Sequence, residues 1–140
     1  MGSRCDRRRG RTALATLAVA VVLTGCAPSS PDPQLTSAAD DARSAAQTAN
    51  LGLRQDDEAR LFPTTASVVY EDMAEKLADA ASQLEQHVAG TPRDVQYRQA
   101  ALEATRLAIE GVQAAQHGRT DDAVKELGRA INGFERLGTG

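Results

Sequence analysis

Apolar residues recur every three or four positions over most of the chain from residue 35 onward, which predicts amphipathic helices rather than strands. Pro63, Gly90 and Gly118 interrupt this periodicity, because each disfavours the continuation of a helix. The four predicted helices cover residues 35–61, 64–89, 92–117 and 120–137. Four such helices with short connections predict an all-α fold, an antiparallel up-down four-helix bundle. A pair of packed helical hairpins fits the same pattern.

The apolar stripes of the four helices differ in the size of their side chains. The first consists of Leu35 followed by Ala38, Ala42, Ala45 and Ala49. Alanine favours helix formation but buries little apolar area, and it allows a neighbouring helix to approach closely. The larger core positions predicted for the other helices are Val69, Tyr70, Met73, Leu77, Leu84, Val88, Val95, Leu102, Ile109, Val112, Val124, Leu127, Ile131, Phe134 and Leu137.

Residues that commonly cap helices stand at two of the predicted boundaries. Thr64 or Thr65 can cap the second helix through its side-chain oxygen. Thr91 can cap the third helix, with Pro92 in the first turn and Asp94 near the positive end of the helix dipole. These residues predict that a new helix begins directly after Gly90.

A short apolar run behind a cluster of arginines precedes the periodic part of the chain. Residues 13–23 are apolar except for Thr16, and five arginines lie between residues 4 and 11. Such a positive segment stays on the cytoplasmic side while the apolar run enters the membrane. The run is too short for a spanning helix, which needs about 20 residues. The pattern therefore predicts an export signal.

The apolar run ends in Leu23-Thr24-Gly25-Cys26, and sequence rich in proline and serine follows directly. This arrangement resembles the lipobox of bacterial lipoproteins. The resemblance implies that the Cys26 thiol carries diacylglycerol and that signal peptidase II cleaves between Gly25 and Cys26. It divides the chain into a signal peptide at 1–25, a lipidated cysteine with a Pro/Ser tether at 26–34, and a helical bundle domain at 35–138.

Other interpretations of the N-terminal segment stay open. An ordinary signal peptide or an uncleaved anchor with a chance cysteine fits the same apolar run. Arg7-Arg8-Arg9 also allows export by the twin-arginine route, although the next residues lack the apolar pair typical of that signal. A plain positive segment, exported by the general route, is the simpler interpretation.

Removal of residues 1–25 changes the charge of the chain. Of the 16 basic and 19 acidic residues, five and one lie in this segment, so the net charge falls from −3 to about −7. We expect such a domain to be repelled by nucleic acid and by anionic lipid headgroups. Cys5 leaves with the segment and Cys26 would carry lipid, so no thiol remains for a disulfide.

The residues that could carry chemistry are few. His87 and His117 lie near the C-terminal ends of predicted helices, where an imidazolium interacts favourably with the helix dipole, so we interpret both as helix-end residues. The chain contains no Glu-x-x-His step of the kind used in di-iron bundles. No acid–base pair or nucleophile motif stands out. We predict no catalytic residue, no metal and no cofactor.

Asp56, Asp57 and Glu58 form the densest acidic run. The run lacks the alternating acidic positions and the turn glycine of a calcium-binding loop. A solvated helix face is the simplest interpretation, and a patch that binds a cation or a basic partner is the alternative.

Together these patterns predict a membrane-anchored, extracytoplasmic lipoprotein that acts as a non-catalytic interaction or structural module of the cell envelope. Its expected partners are the membrane, through lipid on Cys26, and an envelope protein. The alternative is a helical bundle that binds a small apolar ligand near the membrane, which would require an apolar cavity with a few convergent polar groups. The sequence leaves the oligomeric state open.

The anchor can be tested by Cys26→Ser. Two acyl chains, at about 0.8 kcal/mol per buried CH₂, hold a lipoprotein firmly on a bilayer. We expect the substitution either to release the protein or to leave it as an uncut precursor. Cell fractionation and immunoblotting measure both outcomes. A variant that is still processed and still bound to the membrane would contradict the lipoprotein interpretation.

Overall fold

A computed structural model of the chain describes residues 30–58, 60 and 62–139. These residues form a helical bundle of four α-helices without a strand, as predicted: α1 (Pro33–Asp57), α2 (Pro63–Gln86), α3 (Pro92–Gln116) and α4 (Thr120–Gly138). The predictions for the signal peptide, Gly25 and Cys26 lie outside the described residues. Within the described part, no helix is both long and apolar enough to cross a membrane.

Helix α1 begins and ends earlier than predicted. It starts at Pro33, so the last two residues of the predicted tether are helical. Asp32 caps it, because its carboxylate accepts a hydrogen bond from the Gln34 N–H at 2.8 Å. The helix ends at Asp57 rather than at residue 61. Pro63 is the first residue of α2, so residues 58–62 connect the two helices.

The predicted caps of α2 are wrong. Thr64 and Thr65 lie inside the first turn, and Phe62 occupies the cap position without a side-chain hydrogen bond. The reason is Pro63, whose fixed φ suits the first helical position and whose missing N–H costs nothing there. Phe62 has ψ 141°, the extended conformation favoured before a proline.

Helix α2 also ends before the predicted glycine. Its last residue is Gln86, and His87 is already extended with ψ 126°. Val88 therefore leaves the helical stripe and is 86 % exposed, so its predicted place in the core is wrong. Helix α3 then begins as predicted, with Thr91 as its cap and Pro92 in the first turn.

Two helices, α1 and α3, lie at the centre of the packing. Each approaches all three other helices, whereas no Cα atom of α2 lies within 8 Å of a Cα atom of α4. The surfaces of α1 and α3 inside the core consist largely of alanine, namely Ala38, Ala39, Ala42, Ala45, Ala46, Ala49, Ala101, Ala104, Ala108 and Ala114. Small side chains allow α1 and α3 to approach across the bundle, which keeps α2 and α4 apart.

The larger apolar side chains of the core come mainly from α2 and α4. Leu77 and Leu84 are fully buried as predicted, and so is Leu127. In α3 the small side chains are buried more deeply than the large ones. Leu102 and Ile109 are only partly buried against the core, because the alanine face of this helix is innermost. Val124 of α4 is half-exposed, so its predicted place in the core is wrong.

Two glycines, Gly111 and Gly133, lie where α3 and α4 pack closely against each other. A Cβ atom on Gly111 would lie 2.7 Å from Cγ and 3.0 Å from the backbone nitrogen of Leu127. On Gly133 it would lie 3.0 Å from Cβ of Ala104. The side chain of Leu127 is fully buried and has no room to move away. Glycine at position 111 is therefore required by the helix–helix distance.

We expect Gly111→Ala to destabilise the protein by about 1–3 kcal/mol, the usual cost of overpacking a core. Gly128→Ala is the matched control, because it lies inside α4 with no atom within 4 Å of its added Cβ. It should stabilise the protein by about 0.5–1 kcal/mol through its better helix propensity. Urea unfolding followed by circular dichroism measures both changes. Equal stabilisation by the two substitutions would contradict the close contact.

Candidate functional site

A hydrogen-bonded cluster joins three helix ends at the start of the described chain. Its centre is Asp94, which is only 7 % exposed. One carboxylate oxygen accepts hydrogen bonds from the hydroxyl and the backbone N–H of Thr91, at 2.8 and 3.1 Å. The other oxygen accepts a hydrogen bond from the backbone N–H of Asp32 at 3.1 Å. The start of α3 is thereby linked to the start of α1.

The end of α2 belongs to the same cluster. Nε2 of His87 lies 3.8 Å from a carboxylate oxygen of Asp32. The backbone carbonyl of His87 accepts a hydrogen bond from Nη1 of Arg98 at 2.7 Å. His87 is the C-terminal cap residue of α2, as its predicted helix-end role requires. Hydrogen bonds and this close approach thus hold the chain in place where it enters α1.

His117 is the corresponding residue of α3. It stands at the C-terminal cap, and its Nδ1 lies 2.6 Å from the carbonyl oxygen of Gln113. Gly118 follows with φ 70°, a left-handed conformation that glycine adopts without steric cost. The predicted helix-end role of His117 therefore agrees with its position.

The electrostatics of Asp94 follow from these contacts. The hydrogen bond from the Thr91 hydroxyl and the one from the Asp32 N–H hold the pKa of Asp94 below its usual value, because they stabilise the carboxylate. A carboxylate with a lowered pKa stabilises the fold once the pH is above the unfolded-state pKa. The sequence identified Thr91 and Asp94 as a helix start, but not the bond to Asp32.

The acidic run lies at the other end of α1. Asp56 and Asp57 are exposed in its last turn, and Glu58 is its C-terminal cap residue. Glu58 forms an ion pair with Arg60 at 3.1 Å, and both side chains are more than half exposed. Such surface pairs contribute little to stability, typically 0–1 kcal/mol. The run is therefore a solvated surface whose charge is partly balanced at Glu58.

Large apolar side chains are exposed on the two helices that meet at this turn. Phe62, in the turn itself, is 78 % exposed, and Leu51 of α1 and Val68 of α2 are each more than half exposed. Burial first, and the Asp56 carboxylate second, raise the pKa of the Tyr70 phenol. The exposure of Phe62 was not predicted, although its position before Pro63 places it outside the helix.

The described residues contain no group of three or more His, Cys, Asp or Glu side chains placed to hold a metal ion. Comparison of the chain with protein-family models, with curated proteins and with solved structures finds no match.

We expect Asp94→Asn to lower the stability of the protein at neutral pH and to reduce its loss of stability in acid. The pKa of Asp94 is lower in the folded than in the unfolded state, where it is about 3.9. Its stabilising effect is complete above that value and disappears as the pH falls through the lower folded-state pKa.

Thermal unfolding at a series of pH values between neutral and strongly acidic measures this effect. Asp79→Asn is the control, because it removes the same charge from an exposed position on α2. The two variants should differ in both the neutral-pH midpoint and the slope in acid. Superimposable pH profiles would contradict the role of Asp94 in the cluster.

Proposed function

We propose that the protein is a lipoprotein of the cell membrane, anchored on the extracytoplasmic face through lipid on Cys26, and that its helical domain is a non-catalytic interaction module. The lipobox-like sequence supports the anchor. Asp32, the cap of α1, is only six residues after Cys26. A chain of that length spans at most about 20 Å, so the domain would work close to the bilayer.

We also propose that the helices form an antiparallel up-down bundle. The hydrogen bond from Asp32 to Asp94 joins the starts of α1 and α3, and His87 at the end of α2 lies beside Asp32. These contacts support opposite directions for α1 and α2. A helix of 25 residues is about 37 Å long. In this arrangement the turn between α1 and α2 points away from the membrane.

The observation that carries the interaction role is the composition of this turn. Asp56 and Asp57 are exposed there, together with Phe62. An exposed aromatic side chain beside charged residues is typical of an interface that combines an apolar contact with a charged border. The chemistry fits an envelope protein that presents basic side chains around an apolar pocket.

The interior of the bundle favours this function over an apolar-ligand carrier. Alanine faces close the space between α1 and α3, and Gly111 lies against the side chain of Leu127. A carrier needs an apolar cavity, whereas this packing fills the centre of the bundle with side chains. The exposed turn therefore supports the interaction module.

We expect the combined substitution Asp56→Asn, Asp57→Asn and Glu58→Gln to weaken partner binding while leaving the helical content unchanged. Removing the acidic charges should slow association, and salt should weaken binding of the unsubstituted protein, because exposed charges are screened over about 8 Å at physiological ionic strength. The protein is purified from membranes in a nonionic detergent, and the co-purifying proteins are compared at low and high salt.

A matched control removes three exposed acidic charges from α2, by Glu71→Gln, Glu75→Gln and Asp79→Asn. This variant should keep its partner, because the total charge change is the same but the turn is intact. Phe62→Ala should lose the partner without any change in charge. Identical co-purifying proteins from all variants at both salt concentrations would rule out this turn as the interface.

A further inference from the structure

A groove of about 730 Å³ lies between α1, α3 and α4, beside the first described residues of the chain. Leu137 is partly buried and contributes apolar surface to it, and Phe134 lies behind the lining with only 3 % of its surface exposed. The charged residues of its lining are Arg43, Arg93, Arg136 and Asp40. Three arginines and one aspartate make the lining positive, although the mature chain as a whole is near −7. This groove is distinct from the acidic turn.

Arg43 lacks a partner for a buried part of its side chain. Its Nε atom is buried without a hydrogen bond, and the described residues provide no ion pair for its guanidinium group. A buried donor without an acceptor is unfavourable, so this end of the side chain is poorly satisfied within the protein. Arg43 also lines the groove, where the terminal N–H groups of its guanidinium can bind an anionic oxygen from outside the chain. A guanidinium group is also well suited to phosphate, because its planar N–H groups can bind two oxygens at once.

The other polar groups of the lining come from α3 and α4. Arg136 uses its Nε to donate a hydrogen bond to the carbonyl oxygen of Asn132 at 3.2 Å, which orients its guanidinium group. Tyr97 is half-buried, and burial together with the Asp40 carboxylate raises the pKa of its phenol. Its hydroxyl therefore remains protonated and can donate a hydrogen bond at neutral pH.

The position of the groove relative to the anchor identifies the source of the anion. Ser30 and Pro31 are part of the lining, and Ser30 is four residues after Cys26. Four extended residues reach at most about 14 Å. If Cys26 carries lipid, the groove must therefore lie near the headgroups of the same bilayer leaflet. This step rests on the proposed anchor.

We propose that this groove binds the phosphate of an anionic phospholipid headgroup, with Arg43 and Arg136 as its main ligands and Leu137 beside the glycerol part. Binding would orient the domain, with the groove toward the bilayer and the acidic turn toward the envelope partner. The net charge of the mature chain predicts repulsion from anionic lipid. The groove is a local exception because its arginines are gathered at the tethered end.

The test is a titration with dihexanoylphosphatidylglycerol of the protein in a maltoside detergent, purified from whichever cell fraction contains it. Isothermal calorimetry measures the affinity. Arg43→Gln combined with Arg136→Gln should weaken binding by at least about tenfold, which corresponds to ~1.4 kcal/mol. Arg54→Gln combined with Arg106→Gln removes the same charge from exposed positions on α1 and α3 and should leave the affinity unchanged. Circular dichroism verifies that each variant is folded.

Two further ligands identify what the groove recognises. Dihexanoylphosphatidylcholine carries the same phosphate without net charge and should bind more weakly, while inorganic phosphate tests whether the lipid part contributes. Equal affinity for inorganic phosphate and for the anionic lipid would overturn the headgroup assignment in favour of a free-phosphate site. If both double variants lost the same amount of affinity, the total charge of the protein would explain the binding. That result would also overturn the proposal.

Two single variants, Arg43→Lys and Arg43→Gln, keep the proposal testable if the double substitution unfolds the protein. Arg43→Lys retains the charge but not the planar donor group, and it should weaken binding of the anionic lipid while binding more strongly than Arg43→Gln. Unchanged affinity in both single variants would overturn the proposal. The titration does not depend on the anchor, which Cys26→Ser tests by fractionation, so the two proposals fail separately.

Discussion

Alanine side chains on α1 and α3 set the distance between these two helices, and the positions of α2 and α4 depend on that distance. Because α1 and α3 approach closely, each contacts all the other helices, and α2 and α4 are held on opposite sides. The large side chains that stabilise the bundle, such as Leu77 and Leu127, therefore come from the outer pair. Gly111 likewise allows α3 and α4 to pack closely, because it has no side chain that would collide with Leu127.

The ends of α1 differ in their chemistry. At its start, Asp94 accepts hydrogen bonds from Thr91 and Asp32, so that the chain enters the bundle at a defined place. At its end, the exposed acids and Phe62 form a surface rather than a closed contact. The proposed anchor and the proposed interface thus use different ends of one helix. A rigid helix between them would keep the interface at a constant distance from the bilayer.

Net charge is a poor guide to the surfaces of a domain this small. Residues 26–140 carry a net charge of about −7, yet the groove beside the first described residues is lined by three arginines and one aspartate. Electrostatic interactions are screened over about 8 Å at physiological ionic strength, so a ligand responds to the charges near it rather than to the total. An acidic turn and a basic groove can therefore serve different partners on the same bundle.

The sequence alone predicted the helices, the start of α3 and the exposure of the acidic run, because each depends on residues close together in the chain. Apolar spacing, the Thr91 cap and the charges at 56–58 are local features of this kind. The predicted boundaries of α1 and α2 were wrong where two local signals competed. Pro63, for example, was expected to end the first helix, but it is also the first residue of the second.

Only the tertiary structure decided which face of each helix is innermost and which charges meet. Periodicity did not reveal that Ala101, Ala104 and Ala108 of α3 are buried more deeply than Leu102 and Ile109. Nor did it bring together Arg43, Arg93 and Arg136, which lie on three different helices. A stripe is defined by residues three or four apart, whereas burial and charge clustering depend on distances between helices. Those distances are set by the packing of side chains far apart in the chain.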